Sequence, residues 1–164
     1  MLDRLTVCAI VAALALAGPA GAQGAQIAFG NMQQDSSLPV EVTADNLDVD
    51  QTDGTAIFTG DVRIGQGDMR LSAPRVLVVY KEDESGIARL QASGGVTLVS
   101  GSDAAEAARA DYNLDTGMIE MQGDVLLLQG RNALSAQRMT VDTRSGTARM
   151  SGRVKTVLQP GDDQ

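Results

Sequence analysis

From Leu38 onward, apolar and polar residues alternate with a period of two, and the alternation restarts at regular intervals. Ala56, Phe58, Val62 and Ile64 share one parity, as do Leu90, Ala92, Val96 and Leu98. Ile119, Met121, Val125 and Leu127 follow, and then Ala148, Met150, Val154 and Leu158. The other parity is mainly polar or charged: Thr59, Asp61 and Arg63; Gln91, Ser93 and Thr97; Glu120, Gln122 and Asp124; Arg149, Ser151, Arg153 and Lys155. One wet and one dry face at period two predicts β-strands. Inside each stretch sits a Gly-x-Val triplet, at Gly60, Gly94, Gly123 and Gly152, spaced by 34, 29 and 29 residues. A further glycine precedes each triplet (Gly54, Gly86, Gly117, Gly146), beside Asp53, Ser85, Thr116 and Ser145, as hairpin turns require. Upstream of each turn lies a second alternating stretch: Leu47 and Val49; Val76, Val78 and Tyr80; Tyr112 and Leu114; Met139 and Val141. Each repeat is therefore predicted to be a strand-turn-strand unit.

Two local features stay open at this level. A glycine at an inward strand position either leaves room beside it in the apolar face or marks a bulge. Ser102–Asp111 is rich in alanine and fits either a helical turn or an alanine-rich strand. With no other helical pattern, the fold class is all-β and antiparallel, with about eight to twelve strands arranged as a sandwich, jelly roll or open sheet pair.

The first residues follow a different logic. Arg4 precedes an uncharged apolar run from Leu5 to Ala17, followed by Gly18, Pro19 and Ala20-Gly21-Ala22. This order matches a secretory signal peptide over residues 1–22, cleaved after Ala22. The run is shorter than the roughly 20 residues needed to span a bilayer. Residues 23–37, rich in Gly, Gln and Ser, read as a flexible leader, residues 38–159 as the ordered domain, and 160–164 as a disordered tail. The single cysteine, Cys8, lies in the signal segment, so the exported domain must be held by its core without a disulfide.

Composition narrows the chemistry. The 164 residues carry 13 Lys and Arg against 21 Asp and Glu, a formal charge of −8, with the basic residues scattered singly. Such a surface offers no positive stripe to a phosphate backbone, so nucleic acid is not an expected partner. The absence of His removes Ser-His-Asp and Cys-His constellations and His-ligated zinc. Asp48-x-Asp50-x-x-Asp53-Gly54 has calcium-loop spacing, but Thr52 and Thr59 stand where ligands are needed, and a hairpin turn is the preferred reading. Lys81–Gly86 reads as a solvated turn. Gly65-Gln66-Gly67-Asp68 lacks the Lys and Ser/Thr of a phosphate loop. Glycosidase-type carboxylate pairs would need a cleft of the aromatic kind that two Phe, two Tyr and no Trp do not build. No enzyme activity, cofactor or metal is expected.

The order of residues carries a resemblance. Leu38-Pro39-Val40-Glu41-Val42-Thr43-Ala44-Asp45-Asn46-Leu47-Asp48-Val49-Asp50, then Phe58-Thr59-Gly60-Asp61-Val62-Arg63-Ile64 and Gln66-Gly67-Asp68-Met69-Arg70-Leu71-Ser72-Ala73, resembles the LptA/OstA family of lipopolysaccharide transport proteins. The resemblance extends to about Gln159 and departs at Pro74, where the family often has an acidic residue. It implies a twisted, slightly open β-jelly roll in the periplasm. Such a protein would bridge an inner-membrane LptC-like subunit and an outer-membrane LptD-like translocon, stacking end to end with these or with its own copies. Lipid A acyl chains would contact Phe58, Val62, Ile64, Leu90, Val96, Leu98, Ile119, Met121, Val125 and Leu127. Partner edges would be Val40, Glu41 and Val42 at one end and Val154, Lys155, Thr156, Val157 and Leu158 at the other. Two alternatives stand beside this reading: an LptC-like subunit that keeps its amino-terminal anchor, and an adaptor that pairs through its edges without touching lipid.

Overall fold

The computed structural model describes residues 25–30, 38–83 and 85–159. The segment read as a signal peptide and the tail 160–164 lie outside the described residues. Six long strands form the body: β4 (Thr55–Gln66), β5 (Met69–Tyr80), β6 (Ile87–Ser100), β7 (Asp103–Asn113), β8 (Met118–Gln129) and β9 (Asn132–Asp142). Shorter strands flank them: β1 (Ala25–Ala28), β2 (Glu41–Thr43), β3 (Asn46–Asp50), β10 (Thr147–Ser151) and β11 (Lys155–Val157). Every pairing is antiparallel, in the order β1-β10-β9-β8-β7-β6-β5-β4-β2, with β3 also on β4 and β11 also on β9.

Each long ladder breaks register near its middle, between Thr59 and Val62, Ser72 and Arg75, Ser93 and Val96, Glu106 and Arg109, and Gln122 and Val125. These breaks align across the sheet into a crease. At the crease Gly60-Asp61 faces Pro74, Gly94-Gly95 faces Ala108, and Gly123-Asp124 faces Gln137, two residues against one. This is the β-bulge arrangement, which bends a strand and sharpens its twist. The triplet glycines thus mark bulges, which decides between the two readings of the sequence. Pro74 fits here because a bulge asks for no ladder N–H. β10 and β11 continue this pattern on either side of Gly152-Arg153, as β3 and β2 do on either side of Ala44-Asp45.

The crease folds the sheet into two leaves whose inner faces share one core. Val62, Leu98, Ile119, Met121, Leu127, Met139, Val141 and Met150 are all fully buried in it. Each such side chain contributes about 1.5–3 kcal/mol by leaving water. The all-β jelly-roll expectation holds.

Two local expectations resolve or change. The alanine-rich segment is strand β7, with Ala105, Ala107, Ala110 and Tyr112 inward; ladders to β6 and β8 on both sides override the helix preference of alanine. The reading of 23–37 as a flexible leader fails for residues 25–30. β1 pairs with β10 from Ala25↔Met150 to Ala28↔Thr147, and Phe29 is wholly buried. Apolar Ile27 and Phe29, two apart, supply the driving force.

At Gly123 the crease allows no side chain. Its φ is +87°, and a Cβ would stand 2.6 Å from the Cβ of Ala108. Gly123→Ala is expected to lose about 1–3 kcal/mol through clash and backbone strain. Adding Ala108→Gly should restore the clash component and leave the φ component, so urea midpoints should rank parent, double variant, single variant.

Candidate functional site

The inward residues align into ladders that cross the strands from one end of the molecule to the other. In one leaf, Val42, Ile64, Leu71, Leu98, Ala105, Leu127 and Leu134 are successive cross-strand partners. In the other, Leu47, Phe58, Val76, Ala92, Ala110, Met121, Met139 and Met150 form a parallel series. Strands stand about 4.8 Å apart, so seven spacings make an apolar path of about 34 Å along the axis of the roll.

Of the ten residues expected to contact acyl chains, all but Phe58 are at most 2 % exposed. Phe58 is half-buried against the core, beside Leu47 of β3 and Val76 of β5. The structure therefore brings the ten together on one continuous face, in a roll whose interior is closed. Sequence reasoning named residues on β4, β6 and β8 and omitted their partners on the intervening strands, such as Leu71, Val76, Leu134 and Met139. The missing signal was parity: across Pro74, Ala108 and Gln137 the inward set shifts from odd to even or the reverse, as from Ala73 to Val76.

Opposite the crease the two leaves meet at their rims. Tyr112, near the end of β7, donates its hydroxyl hydrogen to Oε1 of Gln66, at the end of β4, over 2.8 Å. Both side chains are buried, and Nε2 of Gln66 donates to the Leu38 carbonyl at 3.0 Å. Burial pushes the Tyr112 phenol above its usual pKa, while the Thr143 hydroxyl and the Arg144 guanidinium pull it down. The latch is thus neutral and mostly dry.

The outer faces are polar and laced with exposed pairs, among them Arg63–Asp61 at 2.9 Å and Arg138–Glu120 at 3.0 Å. Exposed pairs of this kind contribute little stability. The Asp50 carboxylate accepts the N–H groups of Thr52 and Asp53, forming the hairpin turn preferred over a calcium loop. Among the described residues no cluster of carboxylates has the arrangement of a metal site. Lys81 pairs with Asp115 at 2.7 Å, as a solvated turn would; that hydrogen bond, together with the charge of Asp115, raises the Lys81 pKa.

The ends of the sheet are its free edges. Glu41 and Val42 lie in β2, with Val40 just before it, and among the described residues β2 pairs with β4 alone. Lys155, Thr156 and Val157 form β11, which among the described residues pairs with β9 alone, and Val154, Val157 and Leu158 are exposed. The residues read as partner edges thus occupy the two ends of one leaf. Sequence reasoning missed the other leaf's open edge, β3, where all five residues are exposed, Leu47 by 53 % and Val49 by 61 %. Its alternating Leu47 and Val49 were visible, but nothing in them showed that, among the described residues, the strand has β4 as its one neighbour.

The molecule is thus a creased antiparallel roll with an apolar inner face and exposed apolar residues on the strands at its ends. The chain belongs to a family with that architecture: residues 41–147 match the LptA/(LptD N-terminal domain) LPS transport protein family. It is 29 % identical over 132 residues to an uncharacterised protein of Rhizobium meliloti (strain 1021), an alignment covering 74 % of this chain and 71 % of that one. In fold it is similar to the crystal structure of LptH, the LptA-homologous periplasmic component of the lipopolysaccharide transport device of Pseudomonas aeruginosa. The TM-score is 0.69 at 19 % identity, covering 77 % of this chain and 99 % of that one.

Removing the latch should be measurable. Tyr112→Phe is expected to cost about 1–2 kcal/mol, because the buried Gln66 amide oxygen loses the hydrogen bond from the phenol. The pH dependence has a defined sign. Below the ordinary phenol value of 10.0 the folded and unfolded states are both neutral, and the contribution is complete. As pH rises above it the unfolded chain ionises first and the stabilisation is lost. Denaturant titrations from pH 8 to 11 should show that loss in the parent and a smaller one in Tyr112→Phe.

Proposed function

We propose that this protein is a periplasmic bridge for lipopolysaccharide, lodging lipid A acyl chains against its inner apolar ladders. The observation that carries the proposal is the continuity of those ladders from β2 and β3 to β9 and β10. A chain laid along them exchanges water for hydrocarbon at about 0.8 kcal/mol per buried CH₂ at every position, so no point on the path traps it. Membership of a lipopolysaccharide transport family supports the substrate. The free edges support the partners, since unpaired N–H and C=O groups add a strand from another sheet. In this reading β2 and β3 at one end and β11 at the other join the β-jelly-roll domains of LptC-like and LptD-like proteins, or further copies of the chain. An amino-terminal export signal cleaved after Ala22 would deliver it there.

The closed interior favours a second reading, an adaptor that pairs through its edges and carries no lipid. Photocrosslinking to purified lipopolysaccharide distinguishes the two. A photoreactive residue at Phe58, Ile64, Val96 or Leu127 is expected to crosslink, and one at Arg63 or Glu120, on the outer face, is not. Crosslinks at none of the six positions, from folded protein, would leave the adaptor. Edge pairing has its own test. Val157→Asp with Leu158→Asp changes exposed residues only; the variant should keep the parent's thermal midpoint and weaken end-to-end association about tenfold in sedimentation.

A further inference from the structure

We infer that residues 25–30 form a displaceable strap that closes the interior against lipid, with Phe29 as its plug. The inference rests on the lipid-carrying reading and concerns the regulation of that same site. Phe29 is 0 % exposed and belongs to the same buried cluster as Leu98, Met121 and Leu127, so it fills volume that an entering acyl chain would need.

The backbone on either side of Phe29 ties one rim of the roll to the other. In one leaf, Phe29 N–H donates to the Gly146 carbonyl at 3.0 Å. In the other, Gly30 N–H donates to the Asp103 carboxylate at 2.8 Å. Nε2 of Gln129 donates both to the Ala28 carbonyl and to that carboxylate, each at 2.7 Å. Three consecutive residues thus span the mouth, and Asp103, itself buried, gathers the bonds.

The closure is not fully satisfied. Gly30 lies so close to Ser100 that any side chain there would collide with the Ser100 carbonyl. The Ser100 hydroxyl, wholly buried beside it, has no hydrogen-bond partner among the described residues. Opening the strap would return that hydroxyl to water, which offsets part of the cost of exposing Phe29. Among the described residues, β1 is also held by one short ladder along one edge, to β10. A terminal strand with one neighbour can leave without breaking any other pairing.

The register supplies the test. Gln26 and Arg149 are cross-strand partners on exposed positions. With Phe29 and Gly146 a hydrogen-bonded pair, they fall at a non-hydrogen-bonded site, where Cβ atoms are closest. In the full chain with Cys8→Ser, the pair Gln26→Cys and Arg149→Cys can lock the strap by a disulfide. Binding of purified lipopolysaccharide is compared in the oxidised and reduced forms, in the parent and in Phe29→Ala. The expected result is binding at least about tenfold weaker when oxidised, recovery on reduction, and faster uptake by Phe29→Ala than by the parent. Equal binding by oxidised and reduced forms, with the parent binding normally, would overturn the strap alone. Binding by none of the forms, Phe29→Ala included, would overturn the lipid-carrying reading and the strap with it.

Discussion

The architecture depends on a mismatch of count, two residues against one, repeated across neighbouring strands at the same height. A flat sheet of strands this long would expose one whole face to water. Because the bulges align, the sheet closes on itself, and the apolar positions of both leaves enter one core. The glycine in each bulge is therefore a condition of the interior. At Gly123 the partner strand stands so close that hydrogen is the largest substituent the site can hold.

A core of this kind has an unusual dimension. In most small β-proteins the apolar interior is enclosed on every side, whereas here its ladders run along the axis and reach strands that have no further neighbour among the described residues. Closure is left to the rim, where polar contacts do the sealing: Tyr112 with Gln66, and Asp103 with Gln129 and Gly30. The interior is chemically uniform, and the rim is where discrimination between open and closed states resides. Hydrogen bonds suit that task, since the same donors and acceptors bond to water when the rim opens.

Much of the fold was legible in the chain, because period-two alternation and turn glycines at regular spacing are local signals. The strands β4, β6 and β8 and the hairpins at Gly54, Gly117 and Gly146 follow from them directly. What was not legible is non-local. The bulge at Gly94-Gly95 and a gap for ligand call for the same residue, and they differ only in what stands across the ladder. Counting by twos also found only the halves of the intervening strands that lie beyond Pro74, Ala108 and Gln137, such as Val76 and Val78 or Met139 and Val141, because each of those residues reverses the parity. The segment Gln26–Phe29 is too short for a pattern of its own, and its partner strand, β10, lies about 120 residues away. Of the candidate site, the apolar face was readable from Val62, Leu98 and Leu127. The latch was not, because Gln66 and Tyr112 are 46 residues apart and meet only when the leaves fold together.

The hairpins also differ between the two rims. On one rim the connections are two-residue turns, Gly67-Asp68, Gly101-Ser102 and Gly130-Arg131, each led by a glycine of positive φ. On the other they are longer: Gln51–Gly54, the six residues 81–86, Leu114–Gly117 and Thr143–Gly146. The four-residue turns are tied from within by Asp50, Asn113 and Asp142, whose side chains accept backbone N–H groups of the turn. The two rims thus hold their strands by different chemistry, glycine geometry on one and side-chain acceptors on the other.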